Sequence, residues 1–214
     1  MKQTCLLLMA FAICLTASAQ TRYLDEVFSD VTVTSDIVYG SNITVLPALQ
    51  GQPPAAEPLI LDLYEPAGDT ETERPVLLYF HTGNFLPQYI NQSGLGTRTD
   101  SCAVEICTRY AKMGYVVASV DYRLGYNPTA PTQVERTTQL IQAAYRGVQD
   151  SRTAVRFFRK TIAEDNNPYA VDGDVIGMIG EGTGGYISLA SSTIEVYNDI
   201  IIEDDGVTPI AKFW

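Results

Sequence analysis

The sequence predicts an α/β domain with a mostly parallel sheet and flanking helices, and three observations carry that prediction. Two short apolar runs, residues 75–80 and 115–120, have the composition of strands buried on both faces. Between them Val104, Ile106, Tyr110 and Ala111 recur at roughly helical spacing over residues 101–113. A third run of the buried type, residues 175–179, leads through a glycine-rich turn into an apolar helix carrying Tyr186, Ile187, Leu189 and Ala190. Parallel strands joined by right-handed helical crossovers satisfy all three.

The remaining elements follow from pattern. Residues 31–39 alternate in part and are rich in β-branched side chains, which predicts a strand. Residues 59–64 alternate as Leu59, Leu61 and Leu63 and predict its hairpin partner, with residues 51–58 as the connecting loop. Residues 86–99 are a polar loop. A long helix is expected over residues 134–162, its apolar stripe formed by Leu140, Ala143, Ala144, Val148, Ala154, Val155 and Phe158, ended by Asn166, Asn167 and Pro168. No internal repeat or interdomain linker interrupts the pattern.

Lys2, an apolar stretch from Leu6 to Leu15 and the small residues Ala17, Ser18 and Ala19 have the three-part layout of a secretory signal peptide over residues 1–19, with cleavage after Ala19. The stretch is well short of the roughly 20 residues that span a bilayer, so a secreted or periplasmic product is expected, with no membrane span and with residues 20–214 as its one domain. Loss of Lys2 takes the formal charge from -11 to -12. Such an acidic surface repels phosphate backbones and argues against nucleic acid as a partner.

Cys5 and Cys14 fall in the signal, leaving Cys102 and Cys107 in an oxidising compartment. A local disulfide between them requires Cys102 to precede the helix, because five residues along a regular helix separate Cα atoms beyond the roughly 7 Å limit. Two thiols without a CxxC spacing and one distant histidine make no zinc site, and no metal is expected.

The chemistry-bearing stretch is Gly180, Glu181, Gly182, Thr183, Gly184, Gly185, in the order strand, sharp turn, helix. That is the setting of a nucleophile elbow, in which small flanking residues let a strained central residue stand above the sheet. Gly180, Gly182 and Gly185 also fit the dinucleotide spacing GxGxxG. Spacing alone leaves the two open.

Context favours the first. His81, Thr82, Gly83, Asn84 and Phe85 resemble the His-Gly-Gly-type oxyanion loop of α/β-hydrolases of the secreted carboxylesterase and lipase group. Asp121, Tyr122, Arg123 and Leu124 resemble that group's Asn-Tyr-Arg-Leu stretch, and residues 171–185 resemble its segment from acid to elbow. The likeness covers about residues 59–190. It implies an α/β-hydrolase fold acting on small carboxylic esters or lipids through an acyl-serine, with no cofactor. It also implies oxyanion donors at the N–H groups of Gly83, Asn84 and Thr183, and a structural role for His81 beneath its loop.

The family serine aligns with Gly182, which has no oxygen to attack a carbonyl. Thr183 is a poor substitute, because its slot belongs to the residue after the nucleophile and a β-branched side chain sits badly where φ is positive. The family's acid and histidine follow the elbow, whereas His81 precedes it and is the chain's one histidine. Glu203, Asp204 and Asp205 read as a solvated acidic turn. The stretch ending in Phe213 and Trp214 suggests an incomplete hydrolase domain that lacks its last strands. Three expectations follow: an esterase lineage member inactive as given, a non-catalytic secreted protein that binds a ligand in the old pocket, or a truncated copy of an active serine esterase.

Overall fold

The computed structural model describes residues 21–195 together with the backbone of 201–203 and 209–211. The expected signal segment 1–19, the acidic residues Asp204 and Asp205 and the last residues 212–214 lie outside the described residues. In chain order the elements are β1 (Val31–Thr44), a 3-10 turn (Leu46–Gln50), β2 (Ala55–Pro66), β3 (Arg74–Phe80), α1 (Gln88–Asn91), α2 (Ser101–Lys112) and β4 (Val116–Val120). They continue as α3 (Gln133–Glu164), β5 (Val171–Gly180), α4 (Thr183–Thr193), β6 (Ile201–Glu203) and β7 (Pro209–Ala211).

Five strands form one mixed sheet in the order β1-β2-β4-β3-β5, and β6 and β7 form a separate pair among the described residues. The hairpin β1–β2 is antiparallel and so is β2–β4, while β3 runs parallel to both β4 and β5. The apolar runs at 75–80 and 115–120 thus become adjacent parallel strands joined through α2, as the crossover pattern requires. The expected loop over 51–58 is shorter than the sequence suggests, since β2 begins at Ala55 and the 3-10 turn occupies part of the connection.

Side chains alternate between the faces of the sheet. Leu61, Leu63, Val76, Leu78, Phe80, Val116, Ala118 and Val120 point to one face, where Ala143, Ala154 and Phe158 of α3 and Ile187 of α4 close the core. Tyr64, Tyr79 and Val117 point to the other, against Ala103, Cys107 and Ala111 of α2. Helices on both faces explain why the central strands lack a polar side. They also explain why Asp62, on the α2 face of a strand that alternates as if half exposed, is buried.

The helix ends match the physics of their sequences. At the start of α3 the Thr132 hydroxyl accepts the Glu135 N–H at 3.2 Å, and the Glu135 carboxylate accepts the Thr132 N–H at 3.0 Å, a reciprocal capping box. Replacement of Thr132 by Ala is expected to cost about 1 kcal/mol, read as a shift in the urea midpoint with an unchanged slope. At the other end Asn166 and Asn167 turn the chain with φ of 59° and 50°. Within α3 the expected apolar stripe needs one correction: Leu140 is exposed, and the core contact of the helix begins only at Ala143.

The cysteines need another. Both lie inside α2, which begins at Ser101, and both are free thiols. With Cys102 inside the helix, the condition for a bridge to Cys107 fails on geometry. Burial pushes the Cys107 thiol up to about 12. Among the described residues no helix is long and apolar enough to cross a membrane.

Candidate active site

The C-terminal ends of the parallel strands β3 and β5 place two loops side by side. The elbow leaves β5 at Gly180 and enters α4 at Thr183, and Gly182 between them adopts φ 54° and ψ -118°. Positive φ strains a residue bearing a Cβ, and glycine relieves it. The flanking glycines are required by contact rather than by φ. A Cβ on Gly184 would stand 1.9 Å from the Phe80 carbonyl oxygen, and one on Gly180 would stand 2.4 Å from the Gly184 carbonyl. The helix therefore starts flush against the end of β3. That close approach is what an elbow uses to expose its central residue.

The second loop follows β3. His81 is 1% exposed and stacks on the Tyr122 ring at 4.5 Å between centroids. Its Nδ1 lies 2.6 Å from the Thr82 carbonyl, which can only accept, so Nδ1 bears a proton whatever the state of Nε2. Gly83 follows at φ 120°, then Asn84 and Phe85 each at φ 56°. A Cβ on Gly83 would meet the Gly96 backbone at 2.7 Å. The loop is held from outside by the Gly125 N–H, which donates to the Phe85 carbonyl at 2.8 Å, and by Phe85, buried beside Tyr122.

Tyr122 joins the two loops. Its hydroxyl donates to the His81 carbonyl at 2.9 Å and lies 3.2 Å from the Thr183 hydroxyl. The Thr183 side chain is buried in that contact, turned away from the space above Gly182. The Thr183 N–H, at the first turn of α4, belongs to the group of helix donors that lack an intrahelical acceptor. Gly83, Asn84 and Thr183 thus stand on the two loops that flank Gly182, while the Asn84 side chain is exposed and bonds Asn91 at 3.2 Å.

Thr82 supplies what the sequence reading missed. A Cβ built on Gly182 would stand 2.3 Å from the Thr82 hydroxyl and 3.1 Å from the Thr82 Cβ. The threonine side chain occupies the volume that a side chain at position 182 would enter. The signal was present as a bulky residue directly after His81 where the resembling loop has glycine.

Beneath the site lies a charge network also unseen in the sequence. His81 Nε2 faces Asp121 Oδ1 at 3.3 Å, a charge pair when both ring nitrogens are protonated though not aligned as a hydrogen bond. Asp121 accepts from the Arg98 N–H at 2.7 Å and from the Arg98 guanidinium at 2.6 Å, and Arg98 also pairs with Asp62 at 3.0 Å and with Asp36. Burial alone would raise the Asp121 carboxyl, but His81 and Arg98 more than offset it and hold it below its ordinary value. A depressed folded-state value means stabilisation present above the unfolded value of about 3.9 and lost as pH falls through the folded one. Urea stability is accordingly expected to fall on acidification below about pH 4, and the gap between the parent protein and Asp121→Asn to shrink over that window. A gap that stays constant from neutral pH downward would remove Asp121 from the acid response.

Among the described residues no group of three or more His, Cys, Asp or Glu side chains comes together to hold a metal. A search of curated proteins finds no match. Among solved structures the chain is similar to a truncated carbohydrate esterase from gut microbiota, at 18% identity and a TM-score of 0.48, covering 88% of this chain and 51% of that one. It is similar also to a hyperthermophilic esterase from the archaeon Pyrobaculum calidifontis, at 21% identity and a TM-score of 0.41, covering 77% and 38%. A thermophilic carboxylesterase cloned from a metagenomic library matches at 21% identity and a TM-score of 0.42, covering 84% and 44%. The chain thus spans about two fifths to a half of the length of these proteins. The BD-FAE family model matches residues 61–205, a stretch that contains both loops of the site and most of the sheet. The chain, α/β in its fold, belongs to the BD-FAE family.

Proposed function

We propose that this chain is an exported, esterase-type α/β-hydrolase protein that binds small carboxylic esters or lipids at its carbonyl-facing corner and does not turn them over. One observation carries the reading: Gly182 keeps the backbone geometry of an elbow while Thr82 fills the volume a nucleophile would use. The N–H groups of Gly83, Asn84 and Thr183 are the donors assigned to the ester carbonyl, and His81 supports the loop that bears two of them. Polarisation by such donors can persist without a nucleophile, but it leaves only the residual rate of an oxyanion site. Export rests on the layout of residues 1–19 and is part of the same proposal.

Phenyl acetate tests the proposal. Saturable binding in ligand-observed NMR is expected, with release of phenol no faster than in buffer. Turnover by the Gly182 form that survives Thr183→Ala would overturn the assignment of the elbow. An absence of binding would overturn the ligand-binding reading.

A further inference from the structure

A cavity of about 740 Å³ is lined in part by Gly125 to Thr129 of the segment that follows β4, and none of residues 180–185 lines it. The size is that of small-molecule sites. Val45 and Leu49 of the 3-10 turn region, Ile90 of α1 and Tyr126 form apolar walls, and Arg146 of α3 contributes a guanidinium.

The environment of Arg146 is unusual for an arginine. One Nη donates to the Gly125 carbonyl, while the buried Nε–H has no hydrogen-bond partner. Among the described residues no carboxylate forms an ion pair with it. The nearest acid that influences it, Asp150, is committed to Arg123 at 2.8 Å. Burial, and then the neighbouring Arg123 charge, disfavour the charged guanidinium, with Asp150 only partly compensating. Arg123, Arg146 and Asp150 therefore leave one positive charge in excess inside a chain whose net charge is -11. A half-buried charge without a counter-ion carries a free-energy penalty that an anionic partner relieves.

We propose that this cavity is a second binding site, separate from the corner at Gly182, for a small organic carboxylate with an aromatic or branched apolar body. The carboxylate sits on the Arg146 guanidinium and the body lies against Val45, Leu49, Ile90 and Tyr126. A planar guanidinium with open donors suits a carboxylate, and the apolar walls exclude a bare inorganic anion as the preferred occupant. The site is tied to the other one mechanically, because Gly125 contributes to the cavity wall and holds the Phe85 carbonyl of the His81 loop.

The test is calorimetric titration of the purified protein with 3-phenylpropanoate and, in parallel, with the isosteric neutral amide. The acid is expected to bind about 10- to 100-fold more tightly than the amide, the range that a charge-assisted hydrogen bond provides. Arg146→Gln is expected to abolish that preference, weakening the acid by much more than the amide. Since Arg146 also holds Gly125, a second variant guards against misfolding: Ala48→Trp, at an exposed position on the cavity rim, should weaken both ligands with no change in the melting temperature. Equal affinity for acid and amide in the parent protein would overturn the proposal. So would acid binding that neither variant alters, or the lack of any saturable acid binding.

Discussion

Replacement of Asp150 by Ala is expected to remove about 3–5 kcal/mol of stability, out of the roughly 5–15 kcal/mol that holds a typical domain folded. Asp150 is fully buried in α3 and the Arg123 side chain is 4% exposed. The carboxylate accepts the Arg123 N–H at 2.8 Å and its Nε–H at 2.9 Å, and pairs with its Nη2 at 2.8 Å. The remaining guanidinium donors reach the Ile43 carbonyl at 3.0 Å and the Gln149 side chain at 2.9 Å. One arginine therefore ties the end of β1, the segment after β4 and the middle of α3 together. Burial raises the Asp150 carboxyl and Arg123 only partly counters that, so the pair is held by geometry at a desolvation cost. Removing one partner leaves an uncompensated buried charge. Removing both, as Arg123→Met with Asp150→Leu, should cost less than Asp150→Ala alone. Urea unfolding followed by circular dichroism measures all three, and a loss below about 1 kcal/mol for Asp150→Ala would contradict the assignment.

Gly182→Ser is expected to destabilise the protein without restoring ester hydrolysis. Two costs add at this position: about 1–3 kcal/mol for a side chain at φ 54°, and a further 1–3 kcal/mol or so for overpacking against Thr82, whose hydroxyl stands 2.3 Å from the new Cβ. The second cost is removable. Thr82→Gly combined with Gly182→Ser should recover most of it, so the two substitutions should show a favourable coupling of about 1–3 kcal/mol in a double-mutant cycle. Additive effects would mean that Thr82 simply rotates away. Turnover should remain at the oxyanion-only level in both serine variants, since a serine needs a base and His81 is committed to its loop through the Thr82 carbonyl. Hydrolysis of phenyl acetate by Gly182→Ser alone at an enzymatic rate would show that a base reaches position 182 after all.

How far the sequence could be read depended on the range of the interactions involved. The strands at 75–80 and 115–120, the helix between them and the strand-turn-helix at 180–184 were legible because each is encoded by local periodicity and by residues with specific backbone roles. The glycines of the elbow carried their own meaning, since a position that touches the Phe80 carbonyl admits no side chain. Leu140 was misjudged, and the pairing of Cys102 with Cys107 was left open, for a shared reason. Both depend on where an element starts relative to its neighbours, which periodicity fixes only to within a turn.

The long-range charges were not legible. Asp62 sits in an alternating strand and Asp150 inside an apolar helix stripe, and each was visible only as a polar letter in an apolar context. What each pairs with, Arg98 at 3.0 Å and Arg123 at 2.8 Å, depends on the chain crossing from one element to another. The same is true of Thr82 and Gly182, which are separated by most of the domain in sequence and in contact across the ends of β3 and β5.

By itself, then, the sequence determined the α/β pattern, the glycine-rich strand-turn-helix at 180–184 and the lack of a side chain at position 182, because backbone conformation and side-chain chemistry are properties of single residues and near neighbours. Only the tertiary structure decided that Thr82 occupies the space a side chain at position 182 would enter, that Asp150 pairs with Arg123 and that Arg146 lines a cavity without a carboxylate partner. Volume and charge compensation are properties of pairs, and the pairs exist only once the sheet has brought them together.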